Sequence, residues 1–290
     1  MILQCGKCIL SYEGKVEREE NDMVGFQQDK CIRCGRCIAD CVVKVLRRDE
    51  KGFPFMPENL EKFCIGCQHC LAVCPAEAVD CNGKTAADCQ PLSSLPQPEE
   101  VAALMRQRRS IRHYEPCGLP PEIIGKLKES LAWSATGCND RSMVFKIVEN
   151  SEDMQFFRQE SSRMLRKLLR FGILQLLYPG VKRFLQDICN GEDVIFREAP
   201  HMIVCAVSDK APCKEADPYI ALSNFDIYAQ TLGVGTCWCG FAVYAFKFNR
   251  KMRKKLNIPK GYKISSAMLF GKAAVEYQRA TAPENFNFME

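Results

Sequence analysis

Eight of the chain's 19 cysteines fall in two copies of one spacing. Cys31, Cys34, Cys37 and Cys41 follow C-x2-C-x2-C-x3-C, and Cys64, Cys67, Cys70 and Cys74 repeat it after twenty-two intervening residues. Three cysteines within seven residues make a tight loop that can wrap one corner of an iron–sulfur cube, while the fourth is carried past that corner and suits a neighbouring cube. The expected ligand sets are therefore crossed: Cys31, Cys34, Cys37 and Cys74 on one [4Fe–4S] cluster, and Cys64, Cys67, Cys70 and Cys41 on the other. Structural zinc would close one tetrahedron with two separated pairs, leaving a surplus cysteine in each half. A disulfide framework would require an oxidising compartment, and the first twenty residues contain no apolar stretch of signal-peptide type.

Over roughly residues 22 to 85 this pattern resembles the bacterial two-cluster ferredoxin. One departure is that Val42 follows Cys41 where Pro75 follows Cys74, so a looser turn is expected after the first motif. Val24–Phe26, Val43–Leu46, Phe53–Met56 and Ala78–Asp80 are the short extended candidates flanking the cysteine loops. His69, inside the second loop, reads as a solvated side chain near the cluster rather than a ligand. Cys5, Cys8, Cys81 and Cys89 stay unassigned, with unliganded thiols weighed against a further metal site.

A second constellation begins at Arg108-Arg109-Ser110-Ile111-Arg112-His113-Tyr114, directly after a helical pattern. Guanidinium forks beside a hydroxyl match phosphate oxygens and an electron-rich ring edge; alone, such a segment would more often be a solvated basic helix end. Downstream come Ser134-Ala-Thr-Gly-Cys-Asn139, then Gly233-Val-Gly-Thr-Cys-Trp238-Cys239-Gly240, then Phe270-Gly271 and Arg279. The glycines of the third segment fail the G-x-G-x-x-G spacing and close a helix where that motif would open one, so no Rossmann nicotinamide site is supported. His69, His113 and His201 build no Ser–His–Asp arrangement, and His201, after Pro200 at the start of a strand, reads as a packed or edge residue. No indispensable acid or base is expected.

In this order the segments resemble the FMN-dependent nitroreductase family over roughly residues 100–285. The resemblance implies that Arg108 and Ser110, with Arg279, hold the FMN phosphate, and that Arg112 faces the pyrimidine edge. It also implies that Asn139 hydrogen-bonds the ring and that the backbone around Cys239 and Gly240 approaches N5, with Arg109 at the phosphate or on the surface. Asp140-Arg141-Ser142-Met143 stands where the family often has Gln-Pro-Trp, which alters the wall of the substrate pocket. Cys237 and Cys239 bracket Trp238; small buried hydrophobes are the ordinary reading, a redox-active pair the alternative. A homodimer is the family expectation. The apolar positions Phe156, Phe157, Leu165, Leu168, Leu169, Ile173, Leu176 and Leu177 would supply interface and lid, or equally well plain core.

The elements that must position these residues divide the chain at a proline-bearing stretch. Residues 1–81 form the ferredoxin-like domain with its N-terminal extension, 82–99 a semi-extended linker, and 100–290 the FMN-binding domain. In the last, EEVAALMRQRRS is helical with Val101, Leu104 and Met105 on one face, and Pro120-Pro121 starts a second helix. MVFKIVEN, HMIVCAVSD and YKISSAMLFGKAAV read as strands; residues 152–190 read as helix broken at Pro179-Gly180, and YIALSNFDIYAQTLGVG as helix. The fold class is α+β: a two-[4Fe–4S] ferredoxin-like domain followed by an α+β sandwich with a central mixed sheet.

Hydrophobic residues make up 47% of the chain, enough for a core in each domain. No apolar run approaches the roughly twenty residues needed to cross a bilayer. The net charge of +5 is too dilute for a nucleic-acid footprint. The expected protein is cytoplasmic, with two [4Fe–4S] clusters and FMN as cofactors. Its partners are an electron donor (reduced ferredoxin or similar, or NAD(P)H) and a small organic acceptor such as a nitroaromatic, quinone or activated alkene. Alternatives are a reductive dehalogenase or ene-reductase on the same scaffold, and a non-enzymatic electron-transfer or redox-sensing module.

Overall fold

The computed structural model describes residues 23–171 and 184–282. Cys5, Cys8, Ile173, Leu176, Leu177 and the break at Pro179-Gly180 lie outside the described residues. The chain divides into two compact units, one running to Leu95 and including Gly137–Asp140, the other comprising Pro96–Thr136 and everything from Arg141 on.

The first unit is built on an internal repeat visible in the backbone. Strand β1 (Val24–Phe26) pairs antiparallel with β4 (Val79–Cys81), and β2 (Arg47–Arg48) with β3 (Pro54–Phe55). Each cysteine loop turns through left-handed residues at matching positions, Arg33 and Gly35 in the first, Gly66 and Gln68 in the second. Each then runs into a short helix, α1 (Arg36–Asp40) or α3 (His69–Ala72); α2 (Glu58–Glu61) lies between them. After the fourth cysteine both repeats turn again through a left-handed residue, Lys44 and Glu77. The Lys44 N–H donates to the Cys41 carbonyl (2.9 Å) and the Glu77 N–H to that of Cys74 (3.4 Å). The turn after Cys41 is thus not loosened by Val42; the left-handed residue and its hydrogen bond close it without the proline. Val43–Leu46 is not a strand either. Val45 and Leu46 are buried in the small core, and the ladder starts only at Arg47.

In the second unit α4 (Pro98–Gln107) and α5 (Pro121–Ser130) each begin with proline, whose missing N–H costs nothing at a first helical position. Helix α4 therefore starts inside the stretch expected to be linker. Its expected face is only partly covered, because Val101 and Met105 are exposed. After β5 (Met143–Val148) comes α6 (Ser151–Arg170), capped by Asn150, whose Oδ1 accepts the Asp153 N–H at 2.7 Å. Then follow α7 (Leu185–Asn190), β6 (His201–Ser208), α8 (Asp217–Thr231), β7 (Val234–Trp238), α9 (Gly240–Phe248), α10 (Arg250–Leu256) and β8 (Tyr262–Lys272).

The sheet order is β5-β6-β8-β7, with antiparallel pairing between these strands. A parallel element enters at Ser110, which bridges Thr236. Strand β6 reads as an unbroken apolar run because both of its faces are covered. Met202 and Val204 pack with Phe157, Phe196 and Phe246 on one side, and Ile203 and Cys205 with Leu222, Phe225 and Ala229 of α8 on the other. Alternation in β8 does the same with Ala267 and Leu269 against Met268 and Phe270.

Candidate functional site

The eight motif cysteines of the first unit line two small cavities. Cys31, Cys34, Cys37 and Cys74 line one, and Cys41, Cys64, Cys67 and Cys70 line the other, where Cys81 joins them. Backbone N–H groups already aim at sulfur, Arg33 at Cys31 Sγ and Ala78 at Cys74 Sγ, both at 3.4 Å. Burial pushes the Cys37 and Cys64 thiols up, with neighbouring thiols adding to the shift. Cys70 is raised chiefly by its hydrogen bond with Cys81 and then by burial. Binding metal at such thiols must expel their protons. His69 is exposed and its Nδ1 lies 3.0 Å from Asp40 Oδ2, tying α3 to α1.

In the second unit the arginine segment runs beside β7 and the end of β8. The Ile111 N–H donates to the Thr236 carbonyl (2.8 Å), and Tyr114 bridges Ala273 while its hydroxyl donates to the Ile111 carbonyl (2.8 Å). Gly235 makes this approach possible, since a Cβ there would stand 2.5 Å from Ile111 Cγ1. Thr236 also donates its hydroxyl to the buried Asp226, and Asp226 Oδ2 receives Arg108 at 3.5 Å. Arg109 donates to the Arg108 carbonyl and, at 3.1 Å, to Thr281 Oγ1. That contact returns the C-terminal segment to the arginines, and Arg279 there is exposed.

Arg112 opens onto a cavity of about 490 Å³ whose walls include Arg197, Ile195, Leu165, Phe184 and Phe241. Phe241 belongs to the first turn of α9, where the Ala242 N–H donates to the Cys239 carbonyl at 3.2 Å. Gly240 opens that helix, and a Cβ there would meet nothing within 4 Å. Cys239 is buried, donates Sγ–H to the Ile195 carbonyl (3.3 Å), and burial pushes its pKa up to about 12. Cys237 is buried and raised for the same reason. Both are held as protonated, packed thiols, not as the thiolates that redox chemistry needs.

The fold thus brings Arg108, Arg109, Ser110 and Arg112 onto one segment and Cys239-Gly240 to the helix start near it. Asn139 belongs to the first unit. Its Nδ2 donates to the carbonyls of Ile65 (3.0 Å) and Gly66 (3.1 Å) in the second cysteine loop, from a stretch where Cys138, Asn139 and Arg141 all have positive φ. Arg197 escaped the sequence reading because it stands alone before β6, in no recognisable spacing; the fold alone puts it in the cavity wall. His201 is buried, stacked on Phe270 (5.1 Å between centroids), and its Nε2 accepts the Leu119 N–H at 2.8 Å. Burial lowers its pKa, so the ring stays neutral.

Residues 105–272 match the Nitroreductase family, and residues 30–79 match the 4Fe-4S dicluster domain. A nitroreductase with bound FMN from Desulfitobacterium hafniense DCB-2 superposes with a TM-score of 0.54 at 22% identity, covering 66% of this chain and 98% of that one. An FMN-dependent nitroreductase from Mycobacterium smegmatis, solved in complex with NADPH, gives 0.51 at 17% identity, covering 67% of this chain and all of that one. At these identities the likeness is one of fold. The N-terminal part is 36% identical over 78 residues to an archaeal-type glutamate synthase [NADPH] from Thermotoga maritima, covering 27% of this chain and 15% of that protein. It is also 35% identical over 63 residues to a ferredoxin from Pyrobaculum islandicum, covering 22% of this chain and 56% of the ferredoxin. The chain thus combines an α+β oxidoreductase fold with an iron–sulfur module. It belongs to the nitroreductase family and carries a 4Fe-4S dicluster domain at its N-terminal end. Among the described residues no helix is long and apolar enough to cross a membrane.

Proposed function

We propose that this oxidoreductase takes electrons one at a time from a low-potential donor, through two [4Fe–4S] clusters, to FMN, and delivers them to a small organic acceptor. The observation that carries the proposal is a pair of cavities, each lined by four motif cysteines, in a chain whose larger part belongs to the nitroreductase family. Residues 1–81 would form the cluster domain and 100–290 the FMN domain, joined by 82–99.

The crossed ligand sets are supported by Cys74 lying among Cys31, Cys34 and Cys37, and by Cys41 lying among Cys64, Cys67 and Cys70. Four sulfurs around one small space, with backbone N–H groups directed at sulfur, suit a cube. For the flavin, the open approach at Gly240 and the Arg112 guanidinium suit an electron-rich ring edge. When bound, FMN supplies the capacity to collect two electrons and pass them on together. Arg112 and Arg197 would supply cationic donors to a reduced, anionic ring, in a wall that also carries Asp187, Glu192, Asp193 and Glu198. Arg108 and Ser110, with Arg279, are assigned to the phosphate, and Asp226 holds Arg108 in place. Asn139 is the residue assigned to hydrogen-bond the ring.

The first cluster site is the better entrance for electrons. Cys34 is exposed, Ile32 beside it is 65% exposed, and Arg33 and Arg36 offer positive charge to an acidic donor protein. Steering of that kind weakens with salt. NADPH is the rival donor, as the Mycobacterium smegmatis relative was solved with it. Anaerobic purification with iron, sulfide and flavin quantified, then turnover with reduced ferredoxin and with NAD(P)H on a panel of nitroaromatics, quinones and activated alkenes, tests the proposal. Both cofactors present with ferredoxin-driven turnover is the expected result; protein lacking iron or flavin after such a preparation refutes it. A homodimer is the expected assembly.

A further inference from the structure

Around the second sulfur-lined cavity stands a cysteine that the two repeats do not account for. Cys81 is 1% exposed at the end of β4 and lines that cavity with Cys41, Cys64, Cys67 and Cys70. Its thiol stands among the sulfurs of that cavity, near enough to Cys70 to push that thiol's pKa up. The strand register fixes it there. Val79 and Cys81 face inward, and Asp80 faces out, where its carboxylate accepts the Gly25 N–H at 3.1 Å. A Cβ on Gly25 would come within 2.4 Å of that carboxylate, so the pairing leaves little freedom to shift. Flanking bonds from the Cys81 N–H to the Lys84 carbonyl (2.9 Å) and from the Asn82 N–H to the Met23 carbonyl (3.0 Å) hold the strand end.

Among the described residues the first repeat has nothing comparable. Seven residues beyond Cys41, where Cys81 stands relative to Cys74, is Arg48, whose guanidinium is spent on the Arg33 and Gly52 carbonyls (3.1 Å each). Among the described residues the walls of the first cavity include Pro54, Ala76, Ala78 and Val79 but no fifth cysteine. The asymmetry therefore lies in one side chain against an otherwise repeated backbone.

We infer that Cys81 is a hydrogen-bond donor built into the second cluster site, its S–H directed at the Cys70 sulfur so as to raise the reduction potential of the cluster held there. The inference rests on the two-cluster reading above. A reduced cluster carries one more negative charge than its oxidised form, and a donor on a ligand sulfur stabilises that charge. A thiol is a weak donor, but here it is buried, where such bonds count for more. Cys81 is a tuning residue and acts through Cys70.

The test compares wild type, Cys81→Ala and Cys81→Ser, all purified anaerobically, with iron and sulfide quantified and both clusters followed by EPR during reductive titration. Equal iron in the three proteins is expected. In Cys81→Ala one of the two reduction steps should move alone to lower potential. Serine, which keeps a donor of similar size, should hold that step nearer to wild type. Both steps unmoved in the alanine variant, both moving together, or serine shifted as far as alanine would each overturn the inference. So would loss of one cluster's iron in Cys81→Ala, which would make the residue a ligand. Wild-type protein without clusters is a separate failure, visible before any variant is compared, and it would strike the two-cluster reading instead.

Discussion

The cysteine-rich unit and the nitroreductase-family unit assemble their chemistry in opposite ways. In the first, every motif cysteine lies in one of two short segments, a loop and the helix it runs into, and the backbone repeats itself down to the left-handed residues Arg33/Gly66, Gly35/Gln68 and Lys44/Glu77. In the second, the candidate residues come from Arg108 through Arg279, and what gathers them is the strand β7. Its Thr236 binds the arginine segment through the backbone and Arg108 through Asp226. A site made of loops tolerates a different neighbour, such as Val42 for Pro75, provided the turn closes. A site gathered by a strand depends on small residues that allow close approach, as at Gly235.

The contrast predicts separable losses. The largest effect should follow from removing one cysteine. Cys41→Ala should lose the same cluster as Cys64→Ala, so that their EPR spectra match each other and differ from that of Cys31→Ala, with flavin content unchanged. A Cys41→Ala spectrum matching Cys31→Ala would mean the ligand sets are not crossed. Next in size, Arg108→Ala combined with Arg279→Ala should weaken FMN binding while iron stays at the wild-type level. Each lost charge-assisted bond costs about 1.5–3 kcal/mol, or roughly tenfold to a hundredfold in affinity. Unaltered flavin affinity in the double variant would remove these residues from the phosphate site.

Smaller effects should appear in stability. Gly235→Ala would press a methyl group on Ile111 and cost about 1–3 kcal/mol in the second unit, leaving the iron content alone; a melting curve equal to wild type would contradict the close packing. The smallest effect concerns His201, whose pKa is lowered from 6.5 by burial. Above that value the ring is neutral in both states and its contribution is fully present. As pH falls below 6.5 the unfolded chain takes up a proton that the folded chain refuses, so stability declines by at most about 1.4 kcal/mol per pH unit until the depressed pKa is reached. His201→Gln should flatten that slope; identical slopes would show that the ring is not the cause.

How far each unit was legible follows from the same difference. Cysteine spacing is local, so the two cysteine loops could be read directly, while Cys81 could not be assigned without the register that pairs it with Val24. Val45 and Leu46 looked like a strand because a short apolar run has the same appearance whether paired or merely packed. Strand β7 was hidden within Val-Gly-Thr-Cys-Trp, where glycine and cysteine mask any alternation and the sheet supplies the pairing. Strands β5, β6 and β8 were plain, since burial on both faces of β6 leaves a continuous apolar signature. Arg197 and the engagement of Asn139 with the second cysteine loop arise from tertiary contacts that no spacing announces.

The claim that joins the two units is that electrons reach the flavin through the clusters. Rapid-mixing absorbance of the bound flavin, with wild type and Cys34→Ala each mixed anaerobically with reduced ferredoxin and separately with NADPH, tests it most directly. The prediction is fast flavin bleaching by reduced ferredoxin in wild type and its loss in Cys34→Ala, with free dithionite still reducing the flavin of both proteins. Bleaching of Cys34→Ala by NADPH as fast as wild type, with reduced ferredoxin inactive on both, would contradict it.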